Sequence, residues 1–265
     1  MTHLLHAASL TLGYDKKIIT QDLSITIPEN QFSVIIGPNA CGKSTLLRAL
    51  CRLLKPLAGE VLLDGKSIQQ IPTKVLARRI GLLPQQAIVP DNITVADLVA
   101  RGRYPHQTLL RQWSRTDRDA VEQAMSATSV SDLAERSVDE LSGGQRQRVW
   151  VAMVLAQQTP LLLLDEPTTW LDIAHQIELL DLFCMLNQQH GRTLIAVLHD
   201  LNQACRYADH LIVMSAGQVV SQGKPVDIMS TELVKQVFGM SCVIISDPVS
   251  HTPLIVPCGR YHPAL

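Results

Sequence analysis

One nine-residue stretch constrains this chain more than any other. Gly37, Pro38, Asn39, Ala40, Cys41, Gly42, Lys43, Ser44 and Thr45 satisfy the spacing G-x-x-x-x-G-K-[ST]. They follow Phe32-Ser-Val-Ile-Ile36, a short β-branched run that reads as a buried strand. They precede residues 43–54, where Leu46, Leu47, Leu50, Leu53 and Leu54 recur at helical spacing. Strand, glycine-bearing loop and helix in that order form a phosphate cradle. Backbone N–H groups at a helix N-terminus meet several negative charges without a bulky side chain intervening. Gly42 permits close approach, Lys43 supplies a point charge to the β- and γ-phosphates, and the Ser44 hydroxyl can reach a magnesium ion. Ala40 is the oddity. If that position requires φ > 0, alanine there costs on the order of 1 kcal/mol. Cys41 has two readings: a thiol activated by Lys43 and the helix terminus, or a small filler.

Composition narrows the rest. The chain has 265 residues, 46% hydrophobic and 18% charged, with a formal net charge of −1. That is a folded globule with no basic excess, so no nucleic-acid partner is expected. The first residues lack a signal-peptide pattern, and no apolar run approaches the ~18 residues of a membrane span. A transport role would therefore place the membrane part in another chain. The six cysteines, at 41, 51, 184, 205, 242 and 258, form no C-x-x-C pair and are expected to be reduced thiols.

Residues 4–12 and 23–27 read as strands, 73–156 as mostly helical, and the chain after Pro160 as alternating strands (161–164, 193–198, 210–214) and helices (173–189, 201–208). Such alternation implies a mainly parallel sheet covered on both faces. The tail from Val243, with four prolines, reads as an appended strand pair.

Leu161-Leu-Leu-Leu-Asp165-Glu166-Pro167 is an apolar strand ending in two acids, and ligands gather at such strand ends. Asp165 would hold magnesium and Glu166 would orient and deprotonate an attacking water. His199 follows the strand at 193–198 and Gln85 follows Ile80-Gly-Leu-Leu-Pro84, two further strand ends. His199 is placed to hydrogen-bond a γ-phosphate, and Gln85 to approach the metal.

Leu141-Ser-Gly-Gly-Gln145 lies between the phosphate loop and the acidic strand. Ser142, Gly143, Gly144 and Gln145 open a helix and offer a second anion site. This string resembles the signature of ATP-binding-cassette (ABC) proteins. The resemblance implies a P-loop NTPase (RecA-like) α/β core with an N-terminal antiparallel β subdomain. It also implies an inserted helical subdomain at about residues 87–156, within a domain spanning 3–240, and a C-terminal extension at 241–265. Tyr14 matches the aromatic that stacks on adenine. Gln85 matches the glutamine at the subdomain junction, with Gln86 leaving a one-residue ambiguity. Trp170-Leu-Asp172 matches the loop that communicates between subunits, with Trp170 where a small residue is usual. His199 matches the switch histidine. ATP and Mg2+ are the implied cofactors. The implied partners are a second copy in a head-to-tail ATP sandwich, a multi-helix permease and, indirectly, a substrate-binding protein. The implied place is the cytoplasmic face of the inner membrane. The permease is expected near Gln85 and residues 87–118, where Arg101, Arg103, Arg111, Arg115 and Arg118 cluster. Three further stretches, 165–176, 197–209 and 247–254, resemble bacterial importers of iron–siderophore complexes, with haem and cobalamin importers next. DNA-repair and translation cassettes carry a long coiled coil or two cassettes, and neither pattern occurs here.

Overall fold

The computed structural model describes residues 5–15, 17–85, 92–108 and 113–259. Gln86, Arg111, residues 87–91 and the rest of 109–112 lie outside this set. In chain order the elements are β1 (Leu5–Tyr14), β2 (Lys17–Ile27), β3 (Phe32–Ile36), α1 (Lys43–Leu50), β4 (Ala58–Leu63), β5 (Lys66–Ser67), α2 (Thr73–Ala77), β6 (Ile80–Leu83), α3 (Val95–Ala100), α4 (Arg115–Ala127), α5 (Gly143–Ala156), β7 (Leu161–Asp165), α6 (Ile173–His190), β8 (Thr193–Val197), α7 (Leu201–Tyr207), β9 (His210–Ser215), β10 (Gln218–Gly223), α8 (Pro225–Ile228), α9 (Thr231–Phe238), β11 (Cys242–Ser246) and β12 (Pro253–Pro257). The chain divides into two compact units, residues 1–70 with 195–265, and residues 71–194. The division falls inside β8.

In the first unit, β2-β1-β4-β5 form an antiparallel sheet. The buried hydrophobic side chains of β1 are Leu5, Ala7, Leu10 and Leu12, so the alternation slips by one between Ala7 and Leu10. Ser9, at φ 48°, is the extra residue of a bulge there, and it keeps all four side chains on one face. Gly59 lies against that bulge, where a Cβ would come within 2.3 Å of the Ser9 carbonyl oxygen. β3 is buried throughout and pairs in parallel with β9, Val34 opposite Leu211. β9 returns through Ala216 and Gly217, both at positive φ, into antiparallel β10. The proline-rich tail forms the expected strand pair, β11 with β12.

Helix α1 is shorter than its leucine periodicity suggests. It ends at Leu50 because Arg52 turns left-handed at φ 64°. The N–H of Leu53 then donates to the Arg48 carbonyl at 2.8 Å and that of Arg52 to Ala49 at 3.1 Å. This is a Schellman stop with arginine in place of glycine, and it turns Leu53 out to solvent.

In the second unit, β6 and β7 pair in parallel, Ile80 opposite Leu161 and Leu83 opposite Leu164. All five residues of β7 are buried. Helices α3, α4 and α5 pack together beside a 3-10 turn, Arg101–His106. That turn corrects the charge reading of this stretch. Arg101, Arg115 and Arg118 are exposed, but Arg103 is only 5% exposed. Its Nε meets Asp117 Oδ1 at 2.8 Å, and its Nη1 donates to the Ala156 carbonyl and to Gln158 Oε1. The pair pins the turn to α4 and to the end of α5.

Burial alone would raise the Asp117 carboxyl. Hydrogen bonds from Ser114 and Arg103, with the guanidinium charge, outweigh it and hold the carboxyl below its usual 3.8. A depressed carboxylate stabilises the fold above the unfolded-state value and loses that contribution as pH falls through the folded value. Below pH 3.8 the urea midpoint is therefore expected to fall more steeply for the wild type than for Asp117→Asn. Parallel slopes would remove the ion pair as a source of acid sensitivity.

Candidate functional site

The first unit carries the phosphate loop. Leu46 N donates to the Gly42 carbonyl at 2.9 Å, so α1 opens directly out of the loop, and Gly42 stands at its N-cap with φ 106°. Gly37 has no room for a side chain: a Cβ would lie 2.2 Å from the Met214 carbonyl oxygen and 2.8 Å from Cys41 Sγ. The turn after β9 braces the loop from below, with Gly217 N donating to the Cys41 carbonyl at 3.0 Å. Lys43 is 5% exposed, and its ammonium donates to the carbonyls of Gly37 at 2.8 Å and Pro38 at 2.9 Å. Those carbonyls take two of the ammonium's three N–H groups, and the third can be given to a phosphate oxygen. Asn39 and Ala40 form the exposed tip, and Ser44 and Thr45 start the helix half-buried.

Ala40 has φ 61°. A left-handed L-residue costs about 1–2 kcal/mol, while glycine returns about 0.5–1 kcal/mol through the freedom it gains on unfolding. Ala40→Gly is therefore expected to stabilise the protein by about 0.5–1 kcal/mol. For a chain of this size that raises Tm by about 1–3 °C in calorimetry. An unchanged or lowered Tm would mean the loop tip bears no strain.

Cys41 is buried in the loop, as a filler would be. Burial pushes its thiol up, and the opposing pull of Lys43 does not overcome it. Tyr14 ends β1 with 43% of its surface exposed, and Arg48 on α1 reaches its hydroxyl at 3.4 Å. The aromatic ring is thereby tied to the helix that opens at the loop. His199 is exposed and follows β8 as expected; Leu198 N donates to the Ile35 carbonyl at 3.2 Å, and Asp200 caps α7.

The second unit carries the acids and the signature. Asp165 closes β7 and is buried, and Glu166 leaves the strand at φ 53°. A non-glycine residue in that conformation costs on the order of 1–3 kcal/mol and persists only where its surroundings hold it. Gln85 Nε2 donates to Glu166 Oε2 at 2.8 Å, and Thr169 Oγ1 approaches the same oxygen at 3.4 Å. Two residues picked as separate strand ends, 81 positions apart, are thus in direct contact. Behind them, Gln147 on α5 donates to the Pro167 carbonyl at 2.9 Å from a buried position. Neither Thr169 nor Gln147 was legible as a functional residue, since no local pattern marks either as a partner of the acids.

The signature opens α5 at Gly143, with Ser142 as its N-cap. Ser142 and Gln145 form a reciprocal capping box: Gln145 N donates to Ser142 Oγ at 3.2 Å and Ser142 N to Gln145 Oε1 at 3.1 Å. Ser142 and Gly143 are exposed and Gly144 half-exposed. A Cβ at Gly143 would meet only Trp170 Cβ at 3.8 Å, an ordinary contact. Packing within the unit therefore does not demand glycine there. Trp170 itself is 74% exposed at φ 71°, and Asp172 caps α6 by accepting from His175 N.

The loop of the first unit offers an ammonium and helix-terminal N–H groups to an anion, and the second unit separately carries a carboxylate held by an amide. Among the described residues no group of three or more His, Cys, Asp or Glu forms a metal cage.

Residues 20–169 match the ABC transporter family. The ferric enterobactin transport ATP-binding protein of Escherichia coli (strain K12) is 58% identical, over 98% of this chain and 96% of that protein. The achromobactin transport ATP-binding protein of Dickeya dadantii (strain 3937) is 54% identical, over 96% of this chain and 94% of that protein. A solved dimeric post-hydrolysis state of an ATP-binding cassette bound to ADP and Pi superposes with a TM-score of 0.75 at 27% identity, covering 83% of this chain and 98% of that one.

Proposed function

This chain belongs to the ABC transporter family and is an ATP-hydrolysing subunit, and from that premise we propose that it drives import of an iron–siderophore complex through a separate membrane permease. The observation that carries the substrate class is the near-full-length identity to two siderophore transport ATPases, well above the 39% to a cobalamin import ATPase. No described helix is long and apolar enough to cross a membrane, so the translocation path is assigned to the partner.

The proposed cycle uses the two anion sites of each chain. Lys43 and the loop from Gly37 to Thr45 hold the triphosphate, Tyr14 stacks on the adenine, and Ser44, Asp165 and Gln85 hold Mg2+. Ser142, Gly143, Gly144 and Gln145 take the γ-phosphate of the ATP bound by a second copy, head to tail. Glu166 accepts a proton from water as it attacks, and His199 hydrogen-bonds the γ-phosphate. Hydrolysis removes the bridge, and a ligand that holds only one of two states shifts their populations when it is lost. The permease docks in the second unit at a hollow of about 540 Å3 lined by Asp97, Arg101, Tyr104, Gln107 and Trp113. Exposed aromatic residues beside an arginine are the composition of protein-binding hot spots. The protein works as a peripheral subunit on the cytoplasmic face of the membrane, and a substrate-binding protein delivers the cargo on the other side.

The test is uptake of labelled ferric siderophores, haem and cobalamin in cells lacking this chain, complemented by wild type or Glu166→Gln. Loss of siderophore uptake alone, restored only by wild type, is the expected result. Lost haem or cobalamin uptake with siderophore uptake intact would discard the substrate class and keep the motor.

A further inference from the structure

The C-terminal strand pair grips α7 at two points, and α7 begins two residues after His199. Asn202 behaves as an extra strand residue beside β12: its Oδ1 accepts from Ile255 N at 2.7 Å and its Nδ2 donates to the Ile255 carbonyl at 3.2 Å. One turn further, Arg206 Nη2 donates to both carboxylate oxygens of Asp247, at 3.3 and 3.1 Å. Asp247 is itself fixed by the N–H groups of Val249 and Ser250. Residues four apart share one helix face, so both grips act on the same side of α7. A helix of seven residues has no stability of its own, and its placement comes from what it packs against. At the other end, the peptide at Leu198 is tied to Ile35, one residue before the phosphate-loop strand ends. His199 therefore sits on a short link between a strand fixed to β3 and a helix fixed by residues 242–257.

We propose that the C-terminal strand pair is a positioning element for ATP hydrolysis, in which Asn202 and Arg206 are positioning residues that hold α7, and with it the His199 link, in place. This rests on the role proposed above for His199.

The experiment measures steady-state ATP hydrolysis and fluorescent-ATP binding for four full-length variants, each below its own unfolding midpoint. Asn202→Ala and Arg206→Ala are expected to lower kcat about tenfold, inside the ~10²-fold that a misplacement of 1 Å can cost. KM for ATP and nucleotide affinity should stay within about twofold, because no residue of the loop has changed. Arg206→Lys keeps the charge opposite Asp247 and should restore most of kcat. His199→Ala, the fourth variant, should be nearly inactive with binding intact. Wild-type kcat in Asn202→Ala and Arg206→Ala beside an inactive His199→Ala would overturn the positioning role and leave the His199 assignment standing. Loss of kcat and affinity together, with no recovery in Arg206→Lys, would reduce the strand pair to general support and overturn it too. Full activity of His199→Ala would overturn the assignment of His199 itself, and the inference with it.

Discussion

Glu166→Gln is expected to lower ATP turnover by about 10²–10⁴-fold while leaving ATP affinity within about threefold. The substitution keeps shape and removes one property. Gln85 Nε2 donates to Glu166 Oε2 at 2.8 Å, and an amide oxygen in the same place can still accept that bond, more weakly than a carboxylate does. The left-handed turn at 166 should survive, because Gln147 and Pro167 hold the loop independently of the carboxylate charge. What an amide cannot do is take a proton from water. In the proposed cycle binding then proceeds and the step that separates the two chains does not, so a two-chain species should accumulate in ATP on size-exclusion chromatography. Phosphate release at the wild-type rate would remove Glu166 as the base. A fall in affinity matching the fall in turnover would show that the carboxylate shapes the loop instead.

Lys43→Ala is expected to weaken ATP binding by about 10²–10⁴-fold. Hydrogen bonds to charged groups contribute about 1.5–3 kcal/mol each, and the ammonium, on exchanging one loop carbonyl for phosphate, can make two to phosphate oxygens, so about 3–6 kcal/mol is at stake. The fold should tolerate the change, since the partners lost are two loop carbonyls at 2.8 and 2.9 Å that water can reach once the side chain is gone. Titration with fluorescent ATP checks the affinity and circular dichroism checks the fold. An affinity within threefold of wild type would contradict the role of the loop.

The sequence was most readable where structure is local. β3, the loop and α1 follow one another within twenty residues, and each is marked by its own run, glycine spacing or leucine period. β7 ends at Asp165 as its apolar run suggests, and α4 begins at its serine cap. The misreadings arise where a periodic signal outlasts the element. Leu53 continues the α1 period but is exposed, because the left-handed turn at Arg52 stops the helix first. Arg103 adds to a basic run in the sequence but is buried against Asp117, a partner that charge counting along the chain cannot supply. The same limit governs the site. Gln85 and Glu166 are marked singly, as the ends of two strands, and only the fold brings them to 2.8 Å. Asn202 meets Ile255 across 53 residues, and nothing near either residue announces it.

The tie between Gln147 and the Pro167 carbonyl has a consequence for how errors spread. In each chain it joins the helix capped by Ser142 to the loop that carries Glu166. If two copies share each ATP, that helix serves the partner's nucleotide while the loop serves the chain's own. One altered residue at 147 therefore reaches both active sites of the pair. A dimer with a single defective chain should lose more than half its turnover, and mixing experiments would show a dominant-negative curve rather than a linear one.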